Sequence, residues 1–402
     1  MNKTLYDVAF VPMNSRLITL SERLAEPLTK QGISVCILKT AFQGNELSGW
    51  SDGRQTKIPV IQVKPLWYDE PSNFFKYTTR TVGASKALMA NPELPFRLLV
   101  VFMDRYAEGG ILTAVAKSKG IPTILFQEGF HARMGNYSLS LYDLACWLRS
   151  KVLTPWFSSG FDGMQADYVA VWSEYGMKED LMKRGRPADT IFVVGNPLPP
   201  VLQNKKLPSL HTPPVIMIAH QPLNHRYASK SWNDEFYKGA VNILCNIGYN
   251  VLFKAHPRCV GDGDLANLRK EIETQISNCS GKMEWVDRNL IAEELLLQCD
   301  ALITPISITA YTALRMGMPT VFIRTPYNRS PLLEEMGRSG EIIYPLDWQD
   351  LGSTLNQVLS NEGMRKHWYN AGPLAANKLS GDSNGFDNKW AECVKKLLSP
   401  IG

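Results

Sequence analysis

The sequence predicts an α/β protein of two domains, each a parallel sheet covered by helices. Three observations carry this. Short apolar runs alternate with stretches of helical periodicity along the whole chain of 402 residues. The alternation is interrupted between positions 197 and 214, where six of eighteen residues are proline (197, 199, 200, 208, 213 and 214). The composition, 45% apolar and 20% charged with Gly 29 and Pro 25, is that of an ordinary globular chain long enough for two or three cores.

Val8 to Val11 reads as a short strand, and Leu17, Leu20, Leu24 and Leu28 then recur at helical spacing. Gly32 stops that helix before a second strand from Ile33 to Leu38. A strand, helix and strand in this order demand a crossover, and hence parallel pairing. The pattern continues with a strand at 97–103, a helix at 107–120, and strands at 121–126, 168–172 and 191–194. Proline fixes φ and lacks a donor, so 198–214 reads as a linker between a first domain, 1–197, and a second, 215–385. Beyond the linker come strands at 215–219, 251–255, 283–286, 301–304 and 320–323. Helices are expected near 233–247, 264–278, from 291, and at 309–317. The tail from 349 to 398 reads as helical throughout, with 386–402 as a C-terminal helix.

Lys+Arg 43 against Asp+Glu 38 leaves a net charge of +5. So mild a balance argues against a nucleic-acid partner and suits anionic substrates or an acidic membrane surface. Seven cysteines stand singly, with no CxxC pair, which points to reduced thiols and to no metal site. The first residues lack a signal-peptide layout, and the strongly apolar stretch 98–103 is too short to span a bilayer. The expected location is the cytoplasm, or the inner face of the cytoplasmic membrane. The apolar, aromatic segment 139–157, with Arg149 and Lys151, reads either as an amphipathic membrane-contacting helix or as a helix of the domain core.

Strands of such folds end at the ligand-binding edge, which directs attention to the residues after them. Lys254-Ala255-His256-Pro257-Arg258 follows a buried strand; its histidine is placed to donate to a phosphate oxygen, with Lys254 and Arg258 adding charge, or simply to cap the strand. Ser307, followed by Thr309, sits at the start of a short helix that Gly317 ends, an arrangement suited to an anion or to an ordinary cap. Gln127-Glu128-Gly129 offers a carboxylate as general base, with His131 and Arg133 after it to orient it or bind a substrate acid, or else a solvated turn. Asp104 is a reserve base, and His220 to Arg226 a polar loop on the same rim. Gly195-Asn196-Pro197 reads as a hinge turn near the nucleotide, and Glu294 as a ribose ligand or a solvated helix residue. The sequence contains no GxxxxGK[ST], GxSxG or HExxH, and no GxGxxG after its first strand. Their absence demotes NTPases, α/β-hydrolases, zinc proteases and ordinary dehydrogenases.

As a set, these motifs resemble those of bacterial glycosyltransferases of the B-type fold, most closely the CMP-sugar-dependent sialyltransferases and Kdo transferases of capsule and lipopolysaccharide synthesis. The matching residues are Gln127-Glu128-Gly129, His256-Pro257, Ser307 with Thr309, and Ile291 to Leu296 with Glu294. Gln127 stands where the family has a first acidic residue, Ile308 separates the hydroxyl pair, and Ala292 replaces a proline. The resemblance implies two Rossmann-like domains facing a central cleft. Glu128 would be the base and His256 the phosphate-stabilising group. Gly195, Asn196, Lys254, Pro257, Arg258, Glu294, Ser307 and Thr309 would lie on the donor side, and His131 and Arg133 on the acceptor side. It also implies a CMP-sugar donor, a glycan or lipid-linked glycan acceptor, and no metal or other cofactor. The Gly195 turn is also similar to UDP-N-acetylglucosamine 2-epimerases, so a UDP-sugar enzyme stays open, as do a CDP-glycerol-type transferase and a non-catalytic binding protein.

Overall fold

The computed structural model describes residues 5–12, 15–40, 56–63, 94–104, 107–128, 165–197, 209–221, 228–256, 259, 263–286, 292–305, 307–326, 330–344 and 347–399. They divide into two compact units. The first holds the described residues up to Glu128, 165–197 and 382–399; the second holds 209–381.

In the first unit the elements are β1 (Tyr6–Val11), α1 (Ser15–Thr29), β2 (Val35–Thr40), β3 (Val60–Val63), β4 (Phe96–Val101), α2 (Ala107–Ser118), β5 (Thr123–Phe126), β6 (Tyr168–Val171), α3 (Met177–Lys183) and β7 (Ile191–Val193). The strands form one parallel sheet in the order β3-β2-β1-β4-β5-β6-β7. Alternation of side chains across the sheet explains its two cores. Val11, Leu99, Val101, Leu125 and Val171 pack on one face with Ile111 and Val115 of α2 and Leu181 of α3. On the other, Phe126 meets the ring of Trp390 edge-on, their centroids 5.2 Å apart. Trp390 belongs to α11 (Phe386–Leu398), the last helix, which packs along α1.

In the second unit β8 (Val215–Ala219), α4 (Lys230–Asn246), β9 (Asn250–Lys254), α5 (Gly263–Gln275), β10 (Met283–Val286), α6 (Ala292–Leu296), β11 (Ala301–Thr304), α7 (Ile308–Arg315) and β12 (Thr320–Phe322) are followed by α8 (Pro331–Arg338), α9 (Leu351–Ser360) and α10 (Glu362–Ser380). Its sheet is also parallel, in the order β10-β9-β8-β11-β12. The buried carboxylate of Asp300 sets where this sheet begins. It accepts from the backbone N–H of Val215 at 2.7 Å and of His211 at 3.2 Å, fastening the end of the proline-rich stretch to β8.

Two expectations change. The tail is broken twice, because Asn361 is extended and caps α10 through the N–H of Met364, and because Gly381 and Gly385 adopt positive φ. A helix cannot continue through either feature. Three short elements, β3, α3 and α8, of four, seven and eight residues, join the predicted set.

Candidate functional site

In the second sheet β8 is the first strand in sequence, and the chain runs outward to β9 and β10 on one side and to β11 and β12 on the other. The reversal between β8 and β11 is a topological switch point, where the carboxyl ends of open parallel sheets bind ligands. Register brings the right residues there, since Ala219 pairs with Lys254 and Ile303 with Ile218. His220, His256 and Thr304 therefore reach the same edge. The N–H of His220 donates to the carbonyl of Lys254 at 3.0 Å. The N–H of His256 donates to Nδ1 of His220 at 3.4 Å. Oγ1 of Thr304 donates to the carbonyl of Ala219 at 3.3 Å. Lys254 is buried and the side chain of His256 half-buried.

Helix α7 begins at this edge. Ser307 is its N-cap, extended in backbone, and its Oγ accepts from the N–H of Thr309 at 3.2 Å. Both side chains are buried, and the positive end of the helix dipole lies at their level. Close glycine contacts hold α7 in place. A Cβ on Gly317 would stand 2.6 Å from the carbonyl oxygen of Tyr369, and one on Gly372 would stand 2.6 Å from that of Leu314. The loop after β8 is also pinned. Tyr237, fully buried, accepts from the N–H of Gln221 at 2.8 Å, and burial pushes its phenol above the usual range.

In the first unit Gln127 and Glu128 follow β5. The N–H of Gln127 donates to the carbonyl of Ala170, and its Oε1 accepts from the N–H of Trp172, both at 2.9 Å. Gln127 thus serves as a backbone bracket between β5 and β6. Glu128 is half-buried, and its carbonyl accepts from the guanidinium of Arg16 at 2.7 Å.

Asp104 does not fit the role of reserve base. Its side chain is fully buried, and Oδ2 accepts from the backbone N–H of Gln165 at 2.9 Å and of Ala166 at 3.0 Å. It also acts electrostatically on the buried guanidinium of Arg186, whose affinity for its proton burial lowers and Asp104 raises. A carboxylate so engaged is a structural acceptor. Gly195 and Asn196 have a packing role as well. Gly195 sits at φ +92°, a Cβ there would stand 2.4 Å from the carbonyl oxygen of Asp382, and that carbonyl accepts from the N–H of Asn196 at 3.3 Å.

Glu294 is exposed on α6, whose Leu295 and Leu296 turn inward. His131, Arg133, Pro257 and Arg258 lie outside the described residues, as do 139–157 and the loop 222–227. The sequence reading passed over Arg324, two residues beyond β12 at the same sheet edge. It pairs with Glu334 at 2.7 Å and lies over the ring of Tyr344, 5.2 Å from its centroid. A charge directly after an apolar strand was its signal. Among the described residues, no group of three or more His, Cys, Asp or Glu side chains could hold a metal ion. Burial raises the thiols of Cys36, Cys299 and Cys393 to about 12 and that of Cys245 to about 11, far from thiolate chemistry.

No protein-family model matches the chain, and no curated protein matches its sequence. Solved structures do. The chain is similar to a glycosyltransferase from Rickettsia africae, at 14% identity over 98% of this chain and 99% of that one, with a TM-score of 0.59. It is equally similar to the UDP-GlcNAc 2-epimerase from Neisseria meningitidis, solved bound to UDP-GlcNAc, at 13% identity over the same shares and a TM-score of 0.59. MurG from Acinetobacter baumannii shares 15% identity over 97% of this chain and 99% of that one, with a TM-score of 0.54. At such identities the likeness establishes the fold, which is the two-domain, Rossmann-like architecture of the B-type glycosyltransferases.

Proposed function

We propose that the protein is a nucleotide-sugar-dependent glycosyltransferase that moves an acidic sugar from a CMP-activated donor to a hydroxyl of a surface glycan. The observation that carries this reading is the convergence of His256, Ser307 and Thr309 at one carboxyl edge of the second sheet, beside its switch point. An imidazole, buried hydroxyls and a helix N-terminus together suit a phosphate monoester.

In this reaction Glu128 takes the proton of the acceptor hydroxyl as its oxygen attacks the anomeric carbon. The bond from that carbon to the phosphate oxygen breaks, and CMP departs with the electron pair. His256 and the start of α7 stabilise the charge that develops on the phosphate, so that no metal is required for a monophosphate leaving group. Lys254 and Arg258 add positive charge, Pro257 fixes the histidine's backbone, and Glu294 is assigned to the ribose. Gly195 and Asn196 border the donor, and His131 and Arg133 orient the acceptor. The setting is the cytoplasm, or the inner face of the cytoplasmic membrane, where lipid-linked acceptors are built. No helix among the described residues is long and apolar enough to cross a membrane.

Release of CMP from a CMP-activated acidic sugar tests the mechanism. His256→Ala is expected to lower turnover by about a hundredfold or more, the usual consequence of losing one acid or electrostatic group. Turnover close to that of the unmodified protein would remove His256 from the reaction. A second reading, a UDP-sugar transferase or 2-epimerase, is favoured by the Neisseria structure, which holds UDP-GlcNAc. It predicts a preference for UDP over CMP.

A further inference from the structure

We infer that His220 is the positioning residue for His256, holding it through the backbone rather than through a contact with the substrate. The inference deepens the reading above, since it supplies what fixes the group assigned to the donor phosphate.

Five contacts among the described residues support the arrangement. The N–H of His220 donates to the carbonyl of Lys254 at 3.0 Å, so His220 prolongs the pairing of β8 with β9 past the last strand residues. Its ring is buried among aromatic neighbours, with centroids 4.8 Å from Tyr237 and 5.9 Å from Phe253. Those rings leave the imidazole little freedom to turn. Its Nδ1 accepts from the N–H of His256 at 3.4 Å. On the other side of that residue, the carbonyl of His256 accepts from the N–H of Cys259 at 3.0 Å.

The consequence is geometric. β9 ends at Lys254, so His256 lies beyond the support of the ladder. With its N–H and its carbonyl both engaged, its peptide planes are fixed on both sides, and so is the direction of its Cα–Cβ bond. A side chain that must meet a phosphate oxygen needs that direction held to a fraction of an ångström. The acceptor role also sets the chemistry of His220. A neutral imidazole whose Nδ1 accepts carries its proton on Nε2, so the anchor requires one tautomer of the neutral ring.

Two substitutions of similar polarity separate this role from direct substrate contact. Asparagine at 220 puts its carbonyl oxygen near the place of Nδ1 and keeps the acceptor. Glutamine puts its amide near the place of Nε2 and removes the acceptor. Amide hydrogen exchange at His256 reads the anchor, and titration with CMP reads its use. For His220→Gln, exchange at His256 is expected to quicken, and CMP affinity to fall, by about tenfold or more, whereas His220→Asn stays within about threefold of the unmodified protein on both. Glutamine performing as well as asparagine, or better, overturns the inference and assigns His220 a contact through Nε2. If the unmodified protein does not bind CMP but exchange at His256 still separates the two variants, the anchor stands and the cytidylate reading falls.

Discussion

Asp104 and Gln127 show how a polar residue after a strand serves either of two purposes that sequence alone does not distinguish. Each follows an apolar strand of the first sheet, where polar side chains are expected to meet ligands. Asp104 instead accepts two backbone N–H groups, and Gln127 donates and accepts across β5 and β6. Asp104→Ala is expected to cost about 3 kcal/mol of stability in urea unfolding, because two backbone donors lose their acceptor and the buried Arg186 guanidinium loses a nearby negative charge. Turnover per folded molecule should be unchanged; a loss in step with that of His256→Ala would return Asp104 to the reaction. His256 and Ser307 were legible because a strand end and a helix start are written locally, in proline and serine. The hydrogen bond from His256 to His220 was not, for it joins residues 36 apart through a register that only the folded sheet sets.

At the scale of elements, what could be read was the alternation of strands and helices, and what could not was where the last helix goes. Helix α11 belongs to the first unit although it follows the second in sequence. Its apolar face is plain from periodicity, but nothing in that face names its partner. Its partners are α1 and the strands β4 and β5. Trp390 is wholly buried, its Nε1 donates to the carbonyl of Leu24 at 2.9 Å, and its ring packs on Phe126. Arg23 of α1 adds a 2.7 Å bond to Asp387 and another, of 3.0 Å, to the carbonyl of Pro197. Trp390→Ala is expected to destabilise the first unit by about 3–5 kcal/mol, the cost of emptying a large aromatic site. Chemical denaturation followed by tryptophan fluorescence and circular dichroism checks this. A change below about 1 kcal/mol would mean that the helix is dispensable to that core.

For the molecule as a whole, two parallel sheets were foreseeable in class, but their strand orders were not, because a right-handed crossover fixes the hand of a connection and not the strand it reaches. The placement of His256, Ser307 and Thr309 at the carboxyl edge of the second sheet was legible, since each follows a strand end or opens a helix. The identity of a ligand was not, because loop sequences carry no period from which their placement can be read. The proposed function requires a cytidine monophosphate at the carboxyl edge of the second sheet, where His256 and the start of α7 lie. The most direct measurement of this is thermal unfolding with a panel of CMP, CDP, UMP, UDP and GDP, run on the unmodified protein and on His256→Ala. The account predicts that CMP raises the midpoint most, in proportion to the logarithm of its concentration above saturation, and that the alanine variant loses that shift. Stabilisation by UDP with none from CMP, or an equal CMP shift in the variant, would contradict it.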